Sequence, residues 1–263
     1  MKIQLLSDLH LETHPLWKPT PAPGADLLVL AGDIGSYQSG HQMADADFGL
    51  RQFSPLAGWP TPVVFVPGNH EYDTLDFDLA HARLRATCER LGMLWLERET
   101  YLSPWTDREG RPVRLLGTTL WSDFEALGAP EKAYRAANYY LKKTGTTRRG
   151  EPFLAEQVRA QALLCQAWLQ AALEAPFDGT TIVITHFAPS LKSADPRYGL
   201  TPGTAGFCNA LDGLLPHARL WLHGHLHAPS DYAVGLCRVV ANPLGYARKN
   251  EQLHFQAAGC IEI

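Results

Sequence analysis

Residues 62–71, Pro-Val-Val-Phe-Val-Pro-Gly-Asn-His-Glu, constrain this chain more than any other stretch. Val63, Val64, Phe65 and Val66 form an unbroken β-branched and aromatic run, the pattern of a strand buried on both faces. Pro67 and Gly68 stop it, because proline cannot donate to a ladder and glycine permits an unusual backbone angle. An amide, an imidazole and a carboxylate follow at once. Polar side chains on a tight turn at the carboxyl end of a core strand are where open α/β sheets carry their chemistry. One such loop reads equally well as an ordinary polar turn, so recurrence has to decide.

The design recurs. Residues 2–7 read as a strand ending at Asp8-Leu9-His10, and an Asp and a His two apart on extended backbone point to one side, where both can reach one metal ion. Residues 26–31 read as a second buried strand ending in Gly32-Asp33. Residues 180–185 deliver His186, and residues 220–222 lead into His223-Gly224-His225-Leu226-His227. Apolar spacing predicts helices over 43–56, 74–91, 154–173 and 207–215, the third having the clearest stripe. Further strands are expected over 93–96 and 113–119, split by a turn at 107–112, and in the tail around 239–241 and 254–263. Residues 122–150 show no single clean period and no core-facing stripe.

Hydrophobic residues make up 46% of the 263 and charged residues 19%, enough for a packed core in a single domain spanning residues 1–263. A net charge of −4 argues against a general nucleic-acid coat or an anionic-membrane binder. No apolar run is long enough to span a membrane, Met1-Lys2 leads straight into a strand with no secretory signal, and the five cysteines show no CxxC pairing. A soluble cytoplasmic protein with small buried thiols is the expectation.

Five strands thus end in Asp8/His10, Asp33, Asn69/His70, His186 and His225/His227. Any one of these is explained as a helix cap or a satisfied histidine; five together are not. Carboxylates, imidazoles and an amide suit two divalent ions of manganese, iron or zinc, and the absence of cysteine argues against a structural zinc site. Asp33, in the middle of the order, is placed to bridge both ions.

On Asp8-Leu9-His10, Gly32-Asp33, Gly68-Asn69-His70-Glu71, Thr185-His186 and Gly224-His225-Leu226-His227, the chain resembles the calcineurin-like metallophosphoesterase superfamily. The motifs occur in the expected order over residues 7–227. The resemblance implies Asp8, His10 and His227 on one metal, Asn69, His186 and His225 on the other, and Asp33 between them. It also implies a four-layer α/β/β/α sandwich with two mixed β-sheets. Protein phosphatases of the superfamily carry Asp-Arg-Gly after their Gly-Asp and an arginine after Gly-Asn-His-Glu. Here Ile34-Gly35-Ser36 and Tyr72-Asp73 stand in those places. A phosphomonoester dianion favours a bidentate arginine, so the departure tilts the expectation toward phosphodiesters or small, nucleotide-like phosphate esters.

The expected activity is metal-dependent phosphoester hydrolysis, with a metal-activated water attacking phosphorus in line. Adjacent residues seldom aim at one ion, so His70, next to Asn69, is the candidate proton donor to the leaving alkoxide. Glu71 is expected to hold the turn or a ligand histidine, and the partner that orients His70 is not identifiable. Residues 122–150, with Tyr139 and Tyr140 offering flat faces, are the expected substrate cover, helped by residues 190–206. Other readings stay open: a phosphomonoesterase or protein phosphatase, a nuclease using the basic residues between Lys132 and Arg149, or a non-catalytic metal-dependent interaction protein.

Overall fold

A computed structural model describes residues 1–263 apart from Ser39, His41, Gln42 and Ala44. The apolar runs fold into the two sheets that their double-sided burial requires. In the first, β1 (Lys2–Leu6), β2 (Leu27–Ala31), β3 (Val63–Val66) and β4 (Leu94–Trp95) lie parallel in that order. The second sheet is centred on the parallel strands β6 (Pro112–Thr118), β9 (Thr180–Thr185), β10 (Leu220–His223) and β12 (Cys237–Ala241). β5 (Glu99–Thr106) and β11 (Ser230–Val234) add antiparallel edges to it, and β13 (Cys260–Glu262) adds one to β1 in the first sheet. A small hairpin, β7 (Thr147–Arg148) with β8 (Glu151–Pro152), stands apart.

Side chains alternate between the two faces of a strand. One alternate set, including Leu5, Val29 and Val64 of the first sheet with Leu115, Ile182 and Leu222 of the second, forms a single apolar cluster, so the sheets pack face to face. The other set, including Leu28, Phe65, Val183 and Trp221, meets Leu84 and Cys88 of α1 (Phe77–Leu91) and Ala162 and Leu169 of α3 (Ala155–Glu174). That is the α/β/β/α layering. Among the described residues no helix is long and apolar enough to cross a membrane.

Several expectations need correction. The helix expected over 43–56 is replaced, among its described residues, by 3-10 turns at Leu50–Phe53 and Pro55–Ala57. Gly49 enters the left-handed region at φ 74° and Pro55 lacks an N–H, so no α-helical ladder runs through. No helix forms over 207–215 either. There the N–H groups of Asn209 and Leu211 donate to the carbonyls of Ala188 and Pro189, a tertiary pairing that overrides helical spacing. The expected tail strand over 254–263 shrinks to β13. β5 was not anticipated: it has no fully buried residue and contains Pro104, which only an edge strand tolerates.

Residues 122–150 contain α2 (Pro130–Thr144), and this helix does have a core-facing stripe: Ala133, Tyr134, Ala137 and Leu141 pack on the main apolar cluster. Two of the four are alanines, too small to stand out as a hydrophobic period. The helix expected from residue 74 begins at Phe77, because Asp76 caps it by accepting from the N–H groups of Asp78 and Leu79.

The turns after β2 and β3 touch through two glycines. A Cβ on Gly32 would lie 2.7 Å from the Gly68 Cα, and one on Gly68 would lie 2.6 Å from the Asp33 nitrogen. These obstacles are backbone and cannot swing aside. Gly68→Ala should therefore cost about 1–3 kcal/mol, lowering Tm by about 2–4 °C per kcal/mol. Gly213→Ala, with nothing within 4 Å of the added Cβ, should leave Tm unchanged. Thermal unfolding of both variants checks this, and equal shifts would remove the close approach as the reason for Gly68.

Candidate metal centre

Because β1, β2 and β3 run parallel, as do β9 and β10, their carboxyl ends bring Asp8/His10, Asp33, Asn69/His70, His186 and His225/His227 together where the two sheets meet. The ends are tied directly: the Asp8 N–H donates to the Gly32 carbonyl at 2.9 Å and the Gly224 N–H to the His186 carbonyl at 3.0 Å. Asp8, His10, Asp33, His225 and His227 all have positive φ, between 44° and 73°. Backbone held in this region costs about 1–3 kcal/mol per residue and persists only where the surroundings impose it.

Two donor groups result. Asp8, His10, Asp33 and His227 each place a ligand atom within 4.8 Å of the others, and so do Asp33, His186 and His225. Asp33 belongs to both. Asn69 joins the second group, its Oδ1 lying 3.2 Å from His186 Nε2. Seven side chains singled out from sequence are thus brought together.

The donor chemistry fits cations. His10 Nδ1 faces Glu12 at 2.9 Å and His227 Nδ1 faces Glu251 at 2.7 Å. Carboxylates only accept, so each Nδ1 carries the proton and, in neutral imidazoles, both Nε2 atoms present lone pairs. Yet these Nε2 atoms lie 3.1 Å apart. His186 repeats the arrangement: its Nδ1 donates to the Ala31 carbonyl at 2.8 Å, while its Nε2 faces Asp33 Oδ2 at 3.2 Å. Asp33 Oδ2 and His225 Nε2 are buried without a hydrogen-bond partner. Lone pairs aimed at one another from several sides are what a positive ion between them would reconcile.

Charge in the centre is strongly perturbed. Burial opposes ionisation of Asp33, but His186 and His70 outweigh it and hold the carboxyl well below its usual range. Burial likewise opposes charge on His186, while Asp33 pushes it up to about 9. Burial and the neighbouring His186 keep His225 well below the ordinary histidine range. Glu71 is pushed up to about 8 by burial and by Asp33. Its two oxygens accept from the N–H groups of Asp33, Ile34 and Gly68, so it fastens the β2 and β3 turns together.

His70 stands at the edge of the cluster, its ring 5.1 Å from that of His10. Its N–H donates to Asp33 Oδ1 at 2.8 Å, and its Nδ1 lies 2.6 Å from Asp73 Oδ2. Burial works against its charge, but Asp73 and Asp33 raise its pKa well above the ordinary value. Asp73 is the orienting partner that the sequence left unidentified. A signal existed: on a 3-10 turn such as His70–Tyr72, positions i and i+3 eclipse. Glu12 follows His10 at the same two-residue spacing that links Asp8 to His10. Glu251 and Tyr246 had no local signal. Tyr246 lies tilted by 31° against His10 with ring centroids 4.5 Å apart and sits edge-on to His227 at 4.9 Å.

Tyr139 and Tyr140 lie on the exposed face of α2, edge-to-face with each other at 5.3 Å, and Lys143 caps the Tyr139 ring at 3.9 Å. None of their ring contacts is with the cluster. Of the basic residues in this region, Lys132, Arg135, Lys142 and Lys143 are exposed on the same helix, and Arg148 pairs with Asp78. His223 is buried behind the site, 2.9 Å from Ser193 Oγ, and burial pushes it down to about 4. A separate cavity of about 510 Å³, lined by Thr180, Leu220 and Arg238 among others, opens at the opposite ends of β9 and β10 and contains none of these side chains.

No curated protein matches the chain. Among solved structures, phosphopantetheinyl hydrolase (PptH) from Mycobacterium tuberculosis is 20% identical, with 100% of this chain and 95% of that one covered at a TM-score of 0.71. A second, 12% identical, is matched over 91% of this chain and 89% of its own at 0.52. A structure assigned as a 5′-nucleotidase from Staphylococcus aureus, in complex with alpha-ketoglutarate, is 14% identical over 92% of this chain and 48% of its own, at a TM-score of 0.45. These likenesses concern the fold. The model of the calcineurin-like phosphoesterase family matches residues 1–229, carrying all five motifs, and the chain belongs to that family.

Proposed function

We propose that the protein is a phosphoester hydrolase with a dinuclear centre and a preference for phosphodiesters. The observation that carries the reading is the pair of donor groups sharing Asp33, whose buried Oδ2 has no hydrogen-bond partner. Asp8, His10, Asp33 and His227 would hold one ion and Asp33, Asn69, His186 and His225 the other. Divalent manganese, iron or zinc bound there would supply charge neutralisation for phosphate oxygens and a water of lowered pKa.

The chain's own contribution is positioning and proton delivery. Glu12, Glu251 and the Ala31 carbonyl fix the ring orientation of three histidines and turn each Nε2 toward the cluster. In-line displacement at phosphorus leaves negative charge on the departing oxygen, and His70 is the side chain to protonate it. Asp73 holds that imidazole through Nδ1 and stabilises its charged form, so Nε2 is the atom from which the proton leaves.

The preference for diesters rests on what stands near the site. Tyr72-Asp73 occupies the place of the phosphate-binding arginine, and Asp73 is engaged with His70. Arg148 and Arg197 are committed to Asp78 and Asp195. One structural neighbour, matched over the whole length of this chain, is named a phosphopantetheinyl hydrolase, and a phosphoester bearing a larger organic group is in keeping with that name. Residues 122–150 and 190–206 would contact such a group. α2 packs on the 3-10 turn Pro202–Gly206, and Phe207 then places its ring 5.2 Å from His225 while 41% exposed. For Tyr139 and Tyr140 the support is exposure alone, 61% and 62%.

Three outcomes are expected. Bis-(p-nitrophenyl) phosphate should be hydrolysed at least as efficiently as p-nitrophenyl phosphate by kcat/KM, and a strong monoester preference would overturn the diester reading. Asp33→Asn should reduce bound metal, measured by elemental analysis, together with activity; two ions retained per chain would remove Asp33 from the bridging role. His70→Ala should keep the metals yet slow alkyl esters by about 10²–10⁴-fold, with a much smaller effect on activated aryl esters. Equal losses on both classes would mean that His70 positions the phosphate instead.

A further inference from the structure

The family match ends at residue 229, yet the segment that follows β12 returns to the metal cluster. Its backbone is tied to the β1 turn, since the N–H groups of Leu244 and Gly245 donate to the carbonyls of Ser7 and Asp8 at 3.1 and 3.0 Å. This seats Tyr246 against His10 and His227. Arg248 and Lys249 then fold back over the same ring, with the guanidinium carbon 5.2 Å and the ammonium nitrogen 5.3 Å from its centroid.

These two cations are not used up by their surroundings. Both are exposed, and among the described residues no carboxylate pairs with Arg248. Lys249 has only Glu251 at 3.8 Å, and the other oxygen of that carboxylate is taken by His227 and by the Tyr246 N–H. A cation over an aromatic face is held in place without being neutralised. Both cations reach the Tyr246 ring, and among the described residues neither pairs with a side chain of the two donor groups.

Resting on the phosphodiesterase reading, we propose that Arg248 and Lys249, carried on Tyr246, form a binding site for a second phosphate group of the substrate. The substrate class is then a phosphodiester bearing another phosphate several bonds from the scissile one. A planar guanidinium and a point-charge ammonium held on one aromatic ring suit a phosphate with several free oxygens. A diester without a second phosphate leaves the site with nothing to bind.

The test compares thymidine 5′-(p-nitrophenyl phosphate) with the same ester carrying a 3′-phosphate, using the metal-loaded full chain. Wild type should favour the second by kcat/KM. In the Arg248→Ala/Lys249→Ala variant the ratio should fall about tenfold or more, through KM, with metal content retained, and Arg248→Lys should restore part of it. An unchanged ratio overturns the proposal. Equal losses on both esters also overturn it, because the cations would then serve the scissile phosphate. Since Lys249 borders Glu251, Arg248→Ala alone is read in the same way if the double variant fails to fold. Should neither ester react, the diesterase reading fails separately, and calorimetric binding of adenosine 3′,5′-bisphosphate against AMP decides. A bisphosphate preference that the variant loses supports the site, and no preference in the wild type overturns it.

Discussion

Everything in this molecule defers to one buried carboxylate. Asp33 lies at 1% exposure, sits in left-handed backbone, and serves two donor groups at once. Burying an unpaired charge is among the costliest things a fold can do. The surroundings of Asp33 are arranged to bear that cost: its N–H is taken by Glu71, its Oδ1 by His70, and its Oδ2 is left facing His186. The two glycines that let the β2 and β3 turns touch exist to bring these partners into range. The sheets supply rigidity, and the loops at their ends carry the strain.

The histidines follow one construction. A ring has two nitrogens, and anchoring Nδ1 on a carboxylate or carbonyl decides both the tautomer and the direction of Nε2. Glu12, Ala31 and Glu251 do this for His10, His186 and His227, and Asp73 does it for His70. Three of these four anchors are acids buried beside other acids, which makes the site electrostatically overloaded unless cations share it. Asp73 thus stands where a protein phosphatase has its phosphate-binding arginine. In this chain that place anchors His70, and under the proposed function recognition of the substrate would fall to other segments.

How much of this was legible depended on scale. β1, β2, β3, β9 and β10 were plain because a strand buried on both faces reads as an unbroken apolar run, and their terminal motifs stood directly behind them. β5 was invisible because an exposed edge strand has no such run. The stripe of α2 was hidden by its alanines, and the helix expected over 207–215 lost to hydrogen bonds with Ala188 and Pro189 that no local pattern announces. The seven clustered donors were legible because each follows a strand at once. Glu251 and Tyr246 were not, because their relation to His227 and His10 exists only after β12 has paired and the chain has turned back.

That return has a consequence for how the centre comes into being. His10 and His227 are 217 residues apart, and the segment that orients His227 lies later still, tied to the β1 turn through the N–H groups of Leu244 and Gly245. During synthesis the first half of the chain presents Asp8, His10, Asp33 and Asn69 long before their counterparts emerge from the ribosome. A nascent chain can therefore offer at most a partial, low-affinity set of donors. Tight binding of the proposed ions would have to wait until the strand partners of both sheets are in place, so a trapped ion would report a finished fold.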